Sequence, residues 1–323
     1  MGVFMFTVLV MGGTEFVSKS VVKELIVRGF QVDFITRGLK VVNFDGYHEH
    51  IICDRHNQEM LKKYLMNKEY DYVIDVSAYT KEDVEMLLNS LHLASLKKYI
   101  LLSSGAVYND NYQVLTEETP RGWNINWKEY GLHKKEAEDY LFEEKTVPFV
   151  IFRPTYIYGK GNNLYRENYF FDCAFNEQSI FLPNSKNEEQ FIYIDDLTNI
   201  LIAALTNEKV NGKAFNVTHP ETVTWIELTK IFERITSKEI TVQQIDEEII
   251  TALNLSVRDY FPFRDVPYVM DISKLCEHEL PVPKIDLLQG LQYSLSIYEK
   301  GNFDMKEQFP HLDELKEKMC IFE

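Results

Sequence analysis

The sequence has 323 residues, 45% of them hydrophobic and 26% charged. That is too long for one small core and too apolar for a disordered chain, and it suits one large or two medium domains. With 34 Lys and Arg against 50 Asp and Glu the formal net charge is −16, so nucleic acid and anionic membrane are poor candidate partners. Cys53, Cys173, Cys276 and Cys320 stand far apart with no CxxC pair, which speaks against a disulfide framework or a zinc site, and no metal is expected. No apolar run approaches the roughly 20 residues that span a bilayer. The first residues, MGVFMFTVLVMGG, lack the basic flank of a signal peptide, so a cytoplasmic location is expected.

In chain order, the apolar pattern predicts a strand at Phe4–Val10, then a helix at Ser18–Arg28 that ends at Gly29. Strands follow at Gln31–Ile35 and His50–Cys53, a helix at Gln58–Met66, a strand at Tyr72–Val76 and a helix at Lys81–Leu93. Tyr99–Leu102 is a strand, Trp127–Glu143 a polar-faced helix and Phe149–Phe152 another strand. Short, continuously apolar strands alternating with helices predict an α/β fold with a doubly wound parallel sheet covered on both faces. From 160 to 190 the chain is rich in Asn, Tyr and Phe without a clean period, and Tyr165–Phe175 reads as lining of a substrate pocket or, for most of it, as core. A strand at Gln190–Ile194, a helix at Asp196–Leu205 and later helices at Val223–Ile235 and Ile285–Lys300 complete the pattern. A smaller, discontinuous C-terminal domain over the carboxyl ends of the strands is therefore expected, where open parallel sheets bind ligands.

Between the first strand and its helix stands Met11-Gly12-Gly13-Thr14-Glu15-Phe16-Val17-Ser18. A Gly-rich turn entering a helix can bring backbone N–H groups to a pyrophosphate, although such turns also simply join strand to helix. The second strand ends Thr36-Arg37-Gly38, with no carboxylate for a ribose 2′-OH. Arg37 suits a 2′-phosphate, favouring NADP over NAD, and reads equally as a solvated surface Arg. Asp54, after the third strand, reads as an adenine partner or as a turn former.

Tyr130-Gly-Leu-His-Lys134 begins a helical stretch. Residues i and i+4 share a helix face, so a lysine ammonium there favours the phenolate and makes Tyr130 a workable general acid/base. On its own the pattern also fits a surface pair. Upstream, a strand ends Leu102-Ser103-Ser104-Gly105, which puts a hydroxyl at the sheet's carboxyl edge, where it can hold a substrate C–O group.

With these pieces in this order, the sequence resembles the extended short-chain dehydrogenase/reductase family, the NAD-dependent epimerase/dehydratase group. Arg153-Pro154-Thr-Tyr-Ile-Tyr158-Gly159, Phe191-Ile-Tyr-Ile-Asp195-Asp196 and Phe215-Asn216-Val217 agree with it, over residues 4 to about 235. The resemblance implies a Rossmann dinucleotide-binding domain at 1–158 plus about 190–217, and a substrate domain at about 159–189 and 218–323. It implies Tyr130 as the acid/base, Lys134 as its pKa-lowering and ribose-binding partner, and Ser104 as the substrate-oriented hydroxyl. Gly12, Gly13, Thr14, Glu15 and Phe16 would line the pyrophosphate and Thr36, Arg37 and Asp54 the adenosine; Ala78 and Arg153 would also approach the cofactor. A homodimer through paired helices is the family default.

The departures bear on the reaction. The family loop TGxxGxxG has Glu15 and Ser18 in place of its later glycines, and GGT-x-F-V-S looks like the atypical branch with GGTRFxG, which includes chloroplast RNA-associated proteins. A carboxylate beside a pyrophosphate is unfavourable unless it points outward or pairs with a cation. Sugar 4,6-dehydratases carry Asp-Glu after the catalytic hydroxyl, where this chain has Gly105-Ala106. Many nucleotide-sugar enzymes carry Arg ahead of the segment matching Phe191, where this chain has Glu188-Glu189; Arg258 and Arg264 could supply cations from another direction. The leading expectation is an NAD(P)-dependent epimerase or reductase acting on a hydroxyl or carbonyl of a sugar-like or small polar substrate. The alternatives are a non-catalytic nucleotide-sensing or scaffold protein and, behind it, an RNA-associated one.

Overall fold

The computed structural model describes residues 6–111, 114–301, 303–313 and 315–317. Phe4 and Met5 of the first predicted strand, the final residues of the expected second domain and Cys320 lie outside the described residues. The chain runs β1 (Thr7–Met11), α1 (Phe16–Val27), β2 (Gln31–Thr36), β3 (Glu49–Ile52), α2 (Gln58–Leu65), β4 (Tyr72–Asp75), α3 (Lys81–Leu88), β5 (Lys98–Leu102), α4 (Lys128–Glu144) and β6 (Phe149–Pro154). It continues through β7 (Tyr156–Tyr158), α5 (Glu167–Phe175), β8 (Ile180–Pro183), β9 (Phe191–Tyr193), α6 (Ile194–Thr206), β10 (Lys213–Val217) and α7 (Trp225–Thr236). The last elements are β11 (Val242–Ile245), α8 (Glu247–Ala252), α9 (Ser273–Glu277), α10 (Leu287–Ser296) and α11 (Met305–Gln308).

Seven parallel strands form the central sheet in the order β10-β6-β5-β4-β1-β2-β3. Alternate residues of each strand enter opposite cores. Val8, Val10, Phe34, Ile74 and Phe152 pack with Val21 and Leu25 of α1 and Leu197 and Leu201 of α6. Leu9, Ile35, Val73 and Ile151 pack with Leu61 of α2, Leu87 of α3 and Leu141 of α4. Both faces are covered, which is why the strands read as continuous apolar runs. The strand order reverses between β1 and β4, and a crevice opens there at their carboxyl ends.

The predicted strand Gln190–Ile194 forms β9, but β9 pairs with β7 in a separate two-stranded sheet, and β10 completes the central one. The aperiodic stretch after residue 160 contains α5, in which Glu167, Tyr169, Phe170, Phe171, Asp172, Cys173 and Ala174 are all buried. A helix enclosed on nearly every side has no polar stripe and so no amphipathic period to detect. Among the described residues no helix is long and apolar enough to cross a membrane.

Helix α4 reaches the sheet edge through Gly131. A Cβ at that position would lie 2.1 Å from the Ala106 carbonyl oxygen. In an ordinary helix interior Gly→Ala stabilises by roughly 0.5–1 kcal/mol. Here overpacking reverses the sign: Gly131→Ala should lower stability by about 1–3 kcal/mol, measured by urea unfolding.

Candidate functional site

The turn after β1 needs its two glycines. Gly12 has φ +100° and Gly13 φ +152°, and a Cβ at Gly13 would lie 2.4 Å from the Phe34 ring. The Gly12 N–H donates to the Ile35 carbonyl at 2.9 Å. Ser18, where the family loop has its third glycine, closes the turn: its Oγ accepts from Gly13 N–H at 2.9 Å and donates to the Glu15 carbonyl at 2.9 Å. The Glu15 carboxylate lies 3.4 Å from the Lys40 ammonium, and both side chains are well exposed. The loop's acid thus meets the condition of pairing with a cation. The first turn of α1 leaves backbone N–H groups open toward the crevice, as any helix N-terminus does.

Two cavities run end to end along the crevice and share Glu15, Ser18, Ser77 and Tyr79 on their walls. The first, about 520 Å³, is lined by Gly12, Gly13, Thr14, Thr36, Arg37, Lys40 and Asp54. Arg37 is exposed and has no ion-pair partner among the described residues. The Thr36 hydroxyl is occupied by His50 Nε2 at 2.7 Å and by the Gly38 N–H at 3.1 Å. Asp54 accepts from the His56 N–H at 2.9 Å, so it forms the turn as well as facing the cavity. Beneath it is a network that the sequence reading missed. Arg55 donates to both Asp75 oxygens at 3.0 Å, to Ser77 Oγ at 2.9 Å and to the Asp83 carbonyl at 2.8 Å. Asp75 also accepts from the Ala78 N–H at 2.9 Å and from the Tyr99 hydroxyl at 2.8 Å. The loop after β4 is held from below.

The second cavity, about 460 Å³, brings Ser104, Tyr130 and Lys134 onto one wall. Lys134 is buried, and its ammonium donates to the carbonyls of Ala78 at 2.7 Å and Leu102 at 2.9 Å. Two of its three protons are thereby committed and one remains. Burial lowers its pKa to about 8, against the opposing pull of Asp75. Ala78 itself is buried and meets the site through this carbonyl. The Tyr130 phenol is pushed above its ordinary pKa by desolvation, opposed first by a hydrogen bond with Ser104 and then by Arg166 and Arg264. Arg166 and Arg264 are the cations that oppose the rise, while the Lys134 ammonium is turned to the two carbonyls.

The opposite wall comes from distant segments: Tyr156, Arg166, Arg264 and Tyr268. The Ser104 hydroxyl accepts from the Ala106 N–H at 3.2 Å and lies near the Tyr130 and Tyr268 phenols, and the Tyr268 hydroxyl donates to the Pro154 carbonyl at 3.4 Å. A Cβ at Gly105 would lie 1.8 Å from Met270 Cε and 2.5 Å from the Tyr268 hydroxyl. The space that a longer side chain would enter there is filled. Glu189 is fully buried and neither carboxylate oxygen has a hydrogen-bond partner. Burial, aided by Asp265, raises its pKa well above the usual carboxylate range. It sits outside the second cavity's lining.

Arg153, expected near the cofactor, lies outside the lining of both cavities. The side chain is buried and donates to both Glu138 oxygens at 2.7–3.2 Å and to the Tyr108 hydroxyl at 3.0 Å. It lies within the β6 register, and Glu138 of α4 takes up its charge. Tyr268 escaped the sequence reading, and Arg166 fell within a stretch read mostly as core, because each becomes a site residue only through tertiary packing.

This is a doubly wound α/β protein with a two-part crevice at the strand-order reversal. The chain belongs to the NAD dependent epimerase/dehydratase family, a family of enzymes, whose model matches residues 8–218. It is 27% identical, over 98% of its own length and 85% of the relative's, to the chloroplast stem-loop binding protein of 41 kDa b of Arabidopsis thaliana. The fold is similar to that of UDP-glucose 4-epimerase from Thermotoga maritima, solved with UDP-glucose, at TM-score 0.73 and 19% identity over 90% of this chain and 98% of that one. UDP-glucose 4-epimerase from Thermus thermophilus, solved with NAD, gives TM-score 0.74 and 17% identity over 92% and 100%. dTDP-glucose 4,6-dehydratase from Bacillus anthracis, also with NAD, gives 0.74 and 17% over 95% and 99%.

Two outcomes follow from the buried charges. Arg153→Met should cost about 3–5 kcal/mol by leaving Glu138 under-paired, while the dinucleotide affinity of the folded protein stays unchanged; urea unfolding and titration read the two effects separately. Lys134 loses its proton near pH 8 when folded and near about 10.4 when unfolded. Between these values the unfolded state binds more protons, so stability rises with pH. The unfolding free energy of the wild type minus that of Lys134→Met should be flat below pH 8 and increase up to about pH 10.

Proposed function

We propose that the chain is a nicotinamide-dependent epimerase or reductase in which Ser104, Tyr130 and Lys134 act on a hydroxyl or carbonyl of a sugar-like or small polar substrate. The observation that carries this reading is the meeting of these three side chains on one wall, at the far end of a crevice shaped for a two-part ligand. The residues fit a dinucleotide. The glycine turn and the α1 N-terminus suit its pyrophosphate, Lys40 balances Glu15, and the remaining Lys134 proton suits a ribose hydroxyl. When bound, a nicotinamide supplies or accepts hydride. Tyr130 donates or removes the proton of the reacting C–O group, Ser104 holds that oxygen, and the cations Arg166 and Arg264 offset the desolvation of the phenolate. The unit at 1–158 with about 190–217 serves the dinucleotide, and 159–189 with 218–323 serves the substrate.

Elimination of water by the dehydratase route is disfavoured, since Met270 and Tyr268 fill the space beside Gly105. NADP is the preferred cofactor: β2 ends without a carboxylate, and the unpaired Arg37 borders the first cavity together with Lys40. The name of the Arabidopsis relative suggests RNA, but a net charge of −16 works against polyanion binding.

Titration of cofactor-free protein with NADPH and NADH, followed by nicotinamide fluorescence, tests this reading. NADPH should bind at least tenfold more tightly than NADH, and Arg37→Ala should remove most of that difference. NADH binding alone overturns the role of Arg37. Binding of neither returns the chain to a scaffold role.

A further inference from the structure

Strand β4 runs Tyr72-Val73-Ile74 and then places a carboxylate inside the sheet. Asp75 stands in register with Met11 of β1 and Leu101 of β5, and its side chain is fully buried. Arg55, from the turn after β3, pairs with it and is only 12% exposed. Arg55 borders the first cavity, yet its donors are directed inward, to Asp75, Ser77 and the Asp83 carbonyl, with Asp83 Oδ1 3.1 Å from its Nε. A buried ion pair is weak evidence for stability, because apolar side chains of similar volume commonly serve as well. The contacts of this pair give it another use.

Asp75 forms no direct ion pair with Lys134 among the described residues; it reaches the ammonium through one peptide. Its Oδ1 accepts from the Ser77 N–H at 3.1 Å and the Ala78 N–H at 2.9 Å, and the Ala78 carbonyl accepts from the Lys134 ammonium at 2.7 Å. The Tyr99 hydroxyl, 2.8 Å from Oδ2, fixes the carboxylate from β5. Charges from several elements act on the ammonium. Burial lowers its pKa, Asp75 raises it, Arg55 lowers it, and Glu138 and Asp83 raise it, with the balance at about 8. The Tyr79 ring lies 5.0 Å from the ammonium and favours the cation, and Tyr130 stands on the same wall. Glu138 is already paired with Arg153 and Arg121, and Asp83 with Arg55 and His56. Lys98 supplies a comparison at the other end of β5. It too is buried on two carbonyls, those of Ala204 at 2.7 Å and Asn207 at 2.6 Å, and burial, against Glu208, lowers its pKa to about 8. It lines neither cavity.

We propose that Asp75 and Arg55 are positioning residues of the nicotinamide site. The carboxylate keeps the Lys134 ammonium charged and the Ala78 carbonyl aimed at it, and the guanidinium holds the carboxylate in place while limiting its pull. The pair thereby sets the pH range over which Lys134 can hold a ribose hydroxyl. That last step rests on the nicotinamide-enzyme reading; the control of Lys134 does not.

The test is a pH titration of the intact protein, isotope-labelled at lysine Cε and followed by NMR, with Lys134→Met assigning the Lys134 signal. Asp75→Asn leaves Arg55 unopposed and should move the Lys134 midpoint down by about one pH unit or more, and Arg55→Gln should move it up by a similar amount. The Lys98 signal should stay in place in both. The double variant should return close to the wild type, and Arg55→Lys, which keeps the charge, should stay there. Loss of a mere structural brace would move both single variants the same way and the double variant further. Melting temperatures on the same samples show which variants fold, and Arg55→Gln decides the sign where Asp75→Asn does not fold. NADPH affinity, titrated by nicotinamide fluorescence on the folded samples, should fall above the Lys134 midpoint and move with it. Shifts in one direction, an unmoved Lys134 signal or a moved Lys98 signal in folded variants overturns the proposal. Lysine shifts of opposite sign in a protein that binds no dinucleotide support the positioning pair while the enzyme reading fails. NADPH binding whose pH dependence ignores those shifts overturns the pair's role in holding the cofactor.

Discussion

The site depends on one buried cation. The Lys134 ammonium holds the carbonyl that ends β5 and the carbonyl of Ala78 in the loop after β4, so a single side chain of α4 joins the strand ends at the crevice. It can do so only because Gly131 lets α4 come against Ala106. Burying an ammonium on two neutral carbonyls is unfavourable by itself, and the lowered pKa records that cost. Asp75, fixed by Arg55, the Ala78 N–H and Tyr99, provides the compensating field from beneath. The Ala78 peptide is therefore clamped at both ends, its N–H on Asp75 and its carbonyl on Lys134.

This arrangement explains how a chain of net charge −16 carries a positive cleft. Carboxylates near the site are offset one by one: Glu15 by Lys40, Glu138 by Arg153 and Arg121, and Asp75 and Asp83 by Arg55, while burial raises the pKa of Glu189. Arg166 and Arg264 are left over. Electrostatic selectivity here is a property of the pocket, where desolvation strengthens each charge, and not of the outer surface, where salt screens it.

The central sheet was legible because its signal is local. Continuous apolar strands and the glycine turn can be read within a few residues, and Tyr130 and Lys134 sit one helical turn apart. The pieces that failed or were missed depend on tertiary partners. Arg153 belongs to a motif shared with the family, yet its fate is set by Glu138, which comes from another element and leaves no local trace. Arg166 precedes a helix buried all round, so nothing in its neighbourhood marks it as facing a cavity. Ser18 looked like a lost glycine; only its two hydrogen bonds reveal that a hydroxyl can close the same turn.

Position 105 joins these threads. The turn after β5 leaves Gly105 with no side chain, and Met270 and Tyr268, from a segment about 165 residues further on by their numbers, occupy the space. Tyr268 thereby comes to lie near Ser104 on the side away from the helix that carries Tyr130, with its hydroxyl on the Pro154 carbonyl. A carboxylate at the same position would be desolvated among these rings, which would raise its pKa as burial raises that of Glu189. The packing that excludes an acid here is the packing that brings a second phenol near Ser104, so the choice of chemistry and the filling of the core at this corner are one constraint.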